Sequence, residues 1–144
     1  MKVYIAGPFF NPEQVEIVEK VKSILDKTTI DYYSPKDDCL YTPGGSITPR
    51  EAFEENKKEI KNCNFIIAIT DGLDAGTLFE CGYAHAINRQ ICYLWINNNN
   101  QKFNLMLSES ASCICYSYKD LIKALSWKEV NMVWPSYKLK GEVE

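Results

Sequence analysis

The stretch FIIAITDGLDAGTLFECGYAHA, residues 65–86, decides the fold. Its first six residues carry three isoleucines and no charge, the composition of a strand buried on both faces. Asp71, Gly72, Asp74 and Gly76 then supply turn chemistry. A helical pattern follows from about Thr77 to Asn88. An all-apolar strand, a tight turn and a helix form half of a unit in which parallel strands are joined by helical crossovers.

The same stretch can be read for chemistry. Thr77 and Glu80 have the spacing of a capping box, in which Glu80 would only bond back to the Thr77 backbone. A carboxylate in the first helical turn also feels the positive end of the helix dipole, which keeps it ionised. An ionised, positioned carboxylate is what attack on an anomeric carbon requires. Asp74 is either a turn or cap residue or the second member of a carboxyl pair. Two carboxyls in one site are driven apart in pKa, so that one can act as an acid. Asp71 is read as shaping the turn with Gly72. Gly76 and Gly82 flank Glu80 and allow close approach of backbone or ligand.

Working outward, KVYIA (2–6) reads as a first buried strand. Asn11 then caps a helix with Pro12 at its first position and Gln14 three residues after the cap. Val15, Val18, Val21 and Leu25 share one face of it. TIDYYS (29–34) reads as a second strand, and PKDDCLYTPGGS as a loop. Thr48, Pro49 and Glu51 begin a second helix that runs to about Asn62. After the central stretch come a strand ICYLWI (91–96), a polar NNNNQ loop, a strand SCICYSY (112–118) and a closing helix KDLIKALSWK. The tail from about Asn131 has no clear assignment.

Five apolar strands alternating with helices predict an α/β fold. It is a flavodoxin-like, doubly wound, five-stranded parallel sheet of order 2-1-3-4-5 in a three-layer α/β/α sandwich, with residues 1–144 as one domain. Ligands in such sheets bind beyond the carboxyl ends of the strands, where the strand order reverses. The segments placed there are AGPFF, SPKDD and TDGLDAG.

Within those segments and beside them, other residues invite both a bland and a functional reading. Asn56 interrupts the stripe Ala52, Ile60, Cys63 on the second helix, so its amide either finds buried partners or lies at a pocket rim. Tyr4 is a strand tyrosine whose hydroxyl needs a partner, and Glu80 is a candidate. Phe9 and Phe10 either stack on a flat base or staple the following helix. Asn104, among apolar neighbours in FNLML (103–107), either covers the pocket or crosses into a neighbouring subunit. His85 is read as a packing or surface residue.

The bulk numbers set limits. A chain of 144 residues is long enough for one domain with a real core. Its net charge of −3, without long single-sign runs, argues against nucleic-acid or anionic-membrane binding. No apolar run approaches the ~20 residues of a membrane span, and the N-terminus enters a strand at once, unlike a signal peptide. The six cysteines, Cys39, Cys63, Cys81, Cys92, Cys113 and Cys115, form no C-x-x-C pair and are read as buried thiols of a cytoplasmic protein. No metal or organic cofactor is expected. Trp127, Trp134 and Tyr137 are read as surface aromatics that hint at an interface.

Three segments in register, VYIAGPFF at the N-terminus, D-x-G-T-x-x-E-x-G-Y-A at Asp74–Ala84 and F-N-L-M at Phe103–Met106, resemble the nucleoside 2-deoxyribosyltransferase family. The resemblance runs from about residue 2 to 118. It implies an oligomeric enzyme that cleaves the N-glycosidic bond of 2'-deoxynucleosides and passes deoxyribose to another free nucleobase. It implies that Glu80 is the nucleophile, that Tyr4 orients it, and that Asp74 stands near the nucleoside. Phe9, Phe10, Asn56, Gly76 and Asp37 then belong to the substrate side. Asn104 would be contributed to a neighbouring subunit's site, and Met106 is placed among the substrate-binding residues. Many family members carry aspartate where this chain has Asn56, and an amide cannot protonate a leaving base. That role would fall to Asp74, to Asp37 or to water. The nearest rival is a deoxynucleotide N-hydrolase using the same glutamate with water as acceptor; a silent nucleoside-sensing module is a third reading. The apolar GPFFNP loop, lacking Ser and Arg, favours a nucleoside over a 5'-phosphate.

Overall fold

The computed structural model describes residues 1–97 and 101–135. The strands are β1 (Lys2–Ala6), β2 (Asp31–Tyr33), β3 (Phe65–Ile69), β4 (Gln90–Leu94) and β5 (Cys113–Cys115). The helices are α1 (Pro12–Leu25), α2 (Pro35–Asp38), α3 (Pro49–Asn62), α4 (Ala75–Ala86), α5 (Leu105–Ser110) and α6 (Tyr118–Asn131). All strand pairs are parallel, and the order is β2-β1-β3-β4-β5. This is the flavodoxin-like arrangement expected from the alternation of elements, with the reversal of order between β1 and β3.

Alternation along the strands sends side chains to two separate cores. Val3, Ile5, Phe65, Ile67 and Ile69 meet the apolar faces of α1 and α6 on one side. Tyr4, Ala6, Ile66 and Ala68 meet α3 and α4 on the other, through Ile60, Cys81 and Ala84. All five β3 residues are buried, as an apolar central strand requires. All six cysteines are free and buried. No helix among the described residues is long and apolar enough to cross a membrane.

The helix starts follow local chemistry. Asn11 caps α1 by accepting the Gln14 N–H, while the Gln14 side chain accepts the Phe10 N–H. Thr48 and Glu51 close a reciprocal capping box on α3. At α4 the expectation needs correction. The helix starts at Ala75, and Asp74 is its cap, its carboxylate accepting the Thr77 N–H at 2.8 Å and the Thr77 hydroxyl at 3.0 Å. The Thr77–Glu80 box therefore does not form, because Thr77 is already spent on Asp74.

Other departures are short elements. The PKDD segment is a single helical turn, α2, rather than loop, and α5 was not foreseen. The second strand shrinks to three residues and the fifth to three. Trp134 is buried, its ring edge-on to Phe65 at 4.9 Å, so it is a core residue and not a surface one. Trp127 is exposed and Tyr137 lies outside the described residues, as do residues 98–100 of the asparagine loop. His85 is exposed.

Asp71 does more than shape a turn. It is buried, and its carboxylate accepts the Ile96 N–H at 3.1 Å and the Asn97 N–H at 2.5 Å. It thereby pins the β3–α4 turn, which carries Asp74, to the end of β4. Bonds from a charged acceptor to buried donors are worth about 1.5–3 kcal/mol. Asp71→Ala should lower the unfolding free energy by about 2 kcal/mol in a urea titration; a change within ~0.5 kcal/mol would mean the pin carries little.

Candidate active site

The carboxyl ends of β1 and β3 open onto a cavity of about 220 Å³. Gly7, Phe9 and Phe10 form one wall from the segment after β1. Pro35, Cys39 and Tyr41 come from α2 and the loop beyond it, and Ala52 with Asn56 from α3. Asp74, Gly76, Thr77 and Glu80 close the remaining side. Gly7 is fixed by packing: a Cβ there would meet Ile69 Cδ1 at 3.0 Å. An adjoining apolar hollow of about 290 Å³, with Phe53, Ile60 and Phe79 in its walls, shares Asn56, Gly76 and Glu80 with the first.

Tyr4 lies directly beneath. Its ring is fully buried, and its hydroxyl donates to Glu80 Oε1 at 2.6 Å. Strand β1 sets the tyrosine, helix α4 brings the carboxylate down onto it, and Glu80 Oε2 is left without that bond. Glu80 is the sixth residue of α4, past the first turn, so the helix dipole does not hold it ionised as expected. The balance runs the other way. Burial of the carboxyl pushes its pKa up to about 7, the Tyr4 hydroxyl pulls down, and the neighbouring Asp74 charge pushes up. Tyr4 itself is held far above the usual phenol range by burial and by the Glu80 charge, so it stays a neutral donor.

The predicted site residues divide into three groups. Phe9, Phe10, Asn56, Asp74, Gly76 and Glu80 all line the cavity, with Tyr4 as its support. Asp37 does not: its carboxylate is ion-paired with Lys22 at 2.6 Å and Lys36 at 3.1 Å. The Lys22 bond holds its pKa below the usual carboxylate range. Its carboxylate is thus engaged by Lys22 of α1 and Lys36 of α2 and is not part of the cavity lining. Asn104 and Met106 do not line it either. Asn104 is exposed and caps α5, accepting the Met106 and Leu107 N–H groups, and Met106 is 74% exposed.

Sequence reasoning overlooked Tyr33, Cys39 and Tyr41. Tyr33 is the register partner of Tyr4 in β2, and the two rings stack at 5.5 Å. A tyrosine ending the strand beside β1 was the available signal. As for metals, the cavity offers two carboxylates. The closest ligand-like group among the described residues is Cys92, Cys113 and Cys115, whose sulfurs lie within 4.8 Å of one another. These three are buried in the core on the opposite face of the sheet, among aliphatic side chains and away from the cavity.

Comparison with known proteins bears on the family and the fold. The family model described as nucleoside 2-deoxyribosyltransferase matches residues 3–123. No curated protein matches the chain significantly in sequence. Among solved structures, a 2-deoxyribosyltransferase from the psychrotolerant bacterium Bacillus psychrosaccharolyticus superimposes with a TM-score of 0.77 at 23% identity, covering 95% of this chain and 99% of that one. A conserved protein from Enterococcus faecalis V583 gives 0.77 at 19% identity, covering 89% and 98%. A CMP N-glycosidase from Clostridium botulinum gives 0.63 at 19% identity, covering 88% and 98%. At these identities the likeness is one of fold.

The raised pKa of Glu80 has a signed consequence for stability. Between its ordinary value of 4.5 and about 7, the folded chain holds a proton that the unfolded chain has lost. Glu80 therefore opposes folding increasingly as pH rises through that window, and the effect is constant above it. Stability measured against Glu80→Gln should diverge in favour of the variant from about pH 4.5 to 7. In Tyr4→Phe, which loses the bond favouring the carboxylate, the upper end of the window should move higher. A flat difference between parent and variant would mean that Glu80 titrates normally.

Proposed function

Because the chain belongs to the nucleoside 2-deoxyribosyltransferase family, we propose that it moves 2-deoxyribose between nucleobases through a covalent ester on Glu80. The observation that carries this reading is the 2.6 Å bond between Tyr4 and Glu80 Oε1 at the floor of the cavity. It holds the carboxylate in one orientation and leaves Oε2 to react.

A 2'-deoxynucleoside places its base toward Phe9, Phe10 and Asn56 and its C1' over Glu80. Oε2 bonds to C1' as the C1'–N bond breaks, through an oxocarbenium-like transition state. The base leaves with the bonding pair and takes a proton. Asn56 has none to give, Asp37 is committed to Lys22 and Asp74 is the charged cap that accepts from Thr77, so the proton comes from water. A nitrogen of the second base then attacks C1' as the C1'–Oε2 bond breaks, releasing the carboxylate, and the acceptor base gives up its ring-nitrogen proton to water. Two displacements retain the configuration. The emerging positive charge on the sugar favours ionised Glu80, which offsets the burial that raises its pKa.

Two further features shape the reading. The segment after β1 meets this cavity with the apolar Phe9 and Phe10, which favours a nucleoside over a 5'-phosphate, while Lys57 lines the adjoining hollow that shares Asn56 and Glu80. Asn104 and Met106 stand exposed on α5, beyond this cavity. They reach substrate only across a subunit boundary, in a homo-oligomer. Phe53 and Phe79, 39% and 53% exposed beside Glu80, give the apolar surface such an assembly would cover.

Incubation with thymidine and adenine should yield deoxyadenosine and thymine by chromatography; free deoxyribose as the sole sugar product would mean hydrolysis instead. Glu80→Ala should abolish turnover with the circular dichroism spectrum intact. In the parent protein, kcat/KM should rise with pH through a limb near 7, where Glu80 loses its proton. Mixing inactive Glu80→Ala with inactive Asn104→Ala, after subunit exchange, should restore activity, since some mixed sites carry both intact residues. No recovery after demonstrated exchange would contradict the shared site.

A further inference from the structure

Beneath the cavity the two stacked tyrosines serve different partners. Tyr4 donates to Glu80. Tyr33, one strand over, donates its hydroxyl to Asn56 Oδ1 at 3.3 Å. Tyr33 is buried and its ring is stacked on Tyr4, so this contact is fixed from below. Asn56 lines the cavity. With its carbonyl engaged from beneath, its amide NH2 is the end left for a ligand.

We infer that Tyr33 sets the base selectivity of the site by fixing the Asn56 amide with its NH2 donor turned to the bound base. Asn56 then prefers a base carrying a carbonyl at the exocyclic position it meets, a 6-oxopurine or 4-oxopyrimidine, over the corresponding amino base. An amino group there would set donor against donor and leave both without partners. The inference rests on a base occupying this cavity, as the proposed transfer requires. Tyr33 touches no reacting atom; it is a positioning residue acting through Asn56. The 3.3 Å separation is long for an O–H···O bond. The selectivity it enforces is therefore modest, about three- to tenfold.

The test compares hypoxanthine with adenine in the full-length protein. Dissociation constants come from calorimetry, and kcat and KM from transfer with thymidine as common donor. The parent should favour hypoxanthine by about three- to tenfold. Tyr33→Phe keeps the ring stacked on Tyr4, so kcat should stay within about twofold while the hypoxanthine-to-adenine ratio falls toward one. Asn56→Asp, which presents only acceptors while ionised, should invert the ratio. An unchanged ratio in Tyr33→Phe overturns the inference. So does equal loss of kcat for both bases, which would mark damage to the tyrosine stack. A parent preference for adenine would place the amide the other way round and overturns it as well. Binding selectivity that Tyr33→Phe erases, in a protein without turnover, would uphold the inference while sinking the transferase reading. Binding of neither base overturns both.

Discussion

The hydrogen bond from Tyr4 to Glu80 depends on nearly everything else in the fold. It joins residues 76 positions apart in sequence. It forms only because β1 and β3 are register neighbours and α4 packs back over β1. A tyrosine in the middle of a buried strand needs a partner for its hydroxyl. A carboxylate on the inner face of a helix needs a donor. Each group satisfies the other at the edge of the one crevice that a doubly wound sheet creates at its reversal of order. The carboxylate is thereby oriented without being neutralised, since a phenol donates a proton to the bond and keeps it.

The electrostatics of Glu80 follow from the same arrangement. Burial disfavours its charge, Tyr4 favours it and Asp74 disfavours it, leaving a pKa of about 7. A salt bridge to lysine would have kept the group ionised at neutral pH but would have blunted it as a nucleophile. Asp74 contributes its charge while its Oδ2 is occupied in capping α4. The turn that holds both is itself pinned by Asp71 to the end of β4. Structural and chemical roles are thus divided among three carboxylates within ten residues, and their hydrogen-bond partners distinguish them.

Much of this was legible in the sequence because it is local. The all-apolar 65–70 run, the Asn11–Pro12–Gln14 start and the Thr48–Pro49–Glu51 start each declare their element through neighbouring residues, and the parallel order follows from the alternation. The failures come from competition or distance. Thr77 could pair with Asp74 before it or with Glu80 after it, and both patterns look sound. A tertiary donor on a different strand took Glu80, and the cap fell to Asp74. Asp37 looked like a pocket residue by position, but Lys22 on α1 and Lys36 beside it hold it away. Trp134 was misread because its partner, Phe65, is distant in sequence. Tyr33 escaped notice because its role depends on stacking with Tyr4 and on Asn56, neither visible from β2 alone.

The central claim is that Glu80 forms a bond to the sugar. It is tested most directly by quenching the enzyme in acid shortly after mixing with thymidine in the absence of any acceptor base, digesting it and weighing its peptides. The account predicts that the tryptic peptide ending at Arg89 gains the mass of one deoxyribosyl group, located at Glu80 by fragmentation, and that the label disappears when adenine is added before the quench. A label on any other residue, or turnover with no labelled peptide at any quench time, would contradict it.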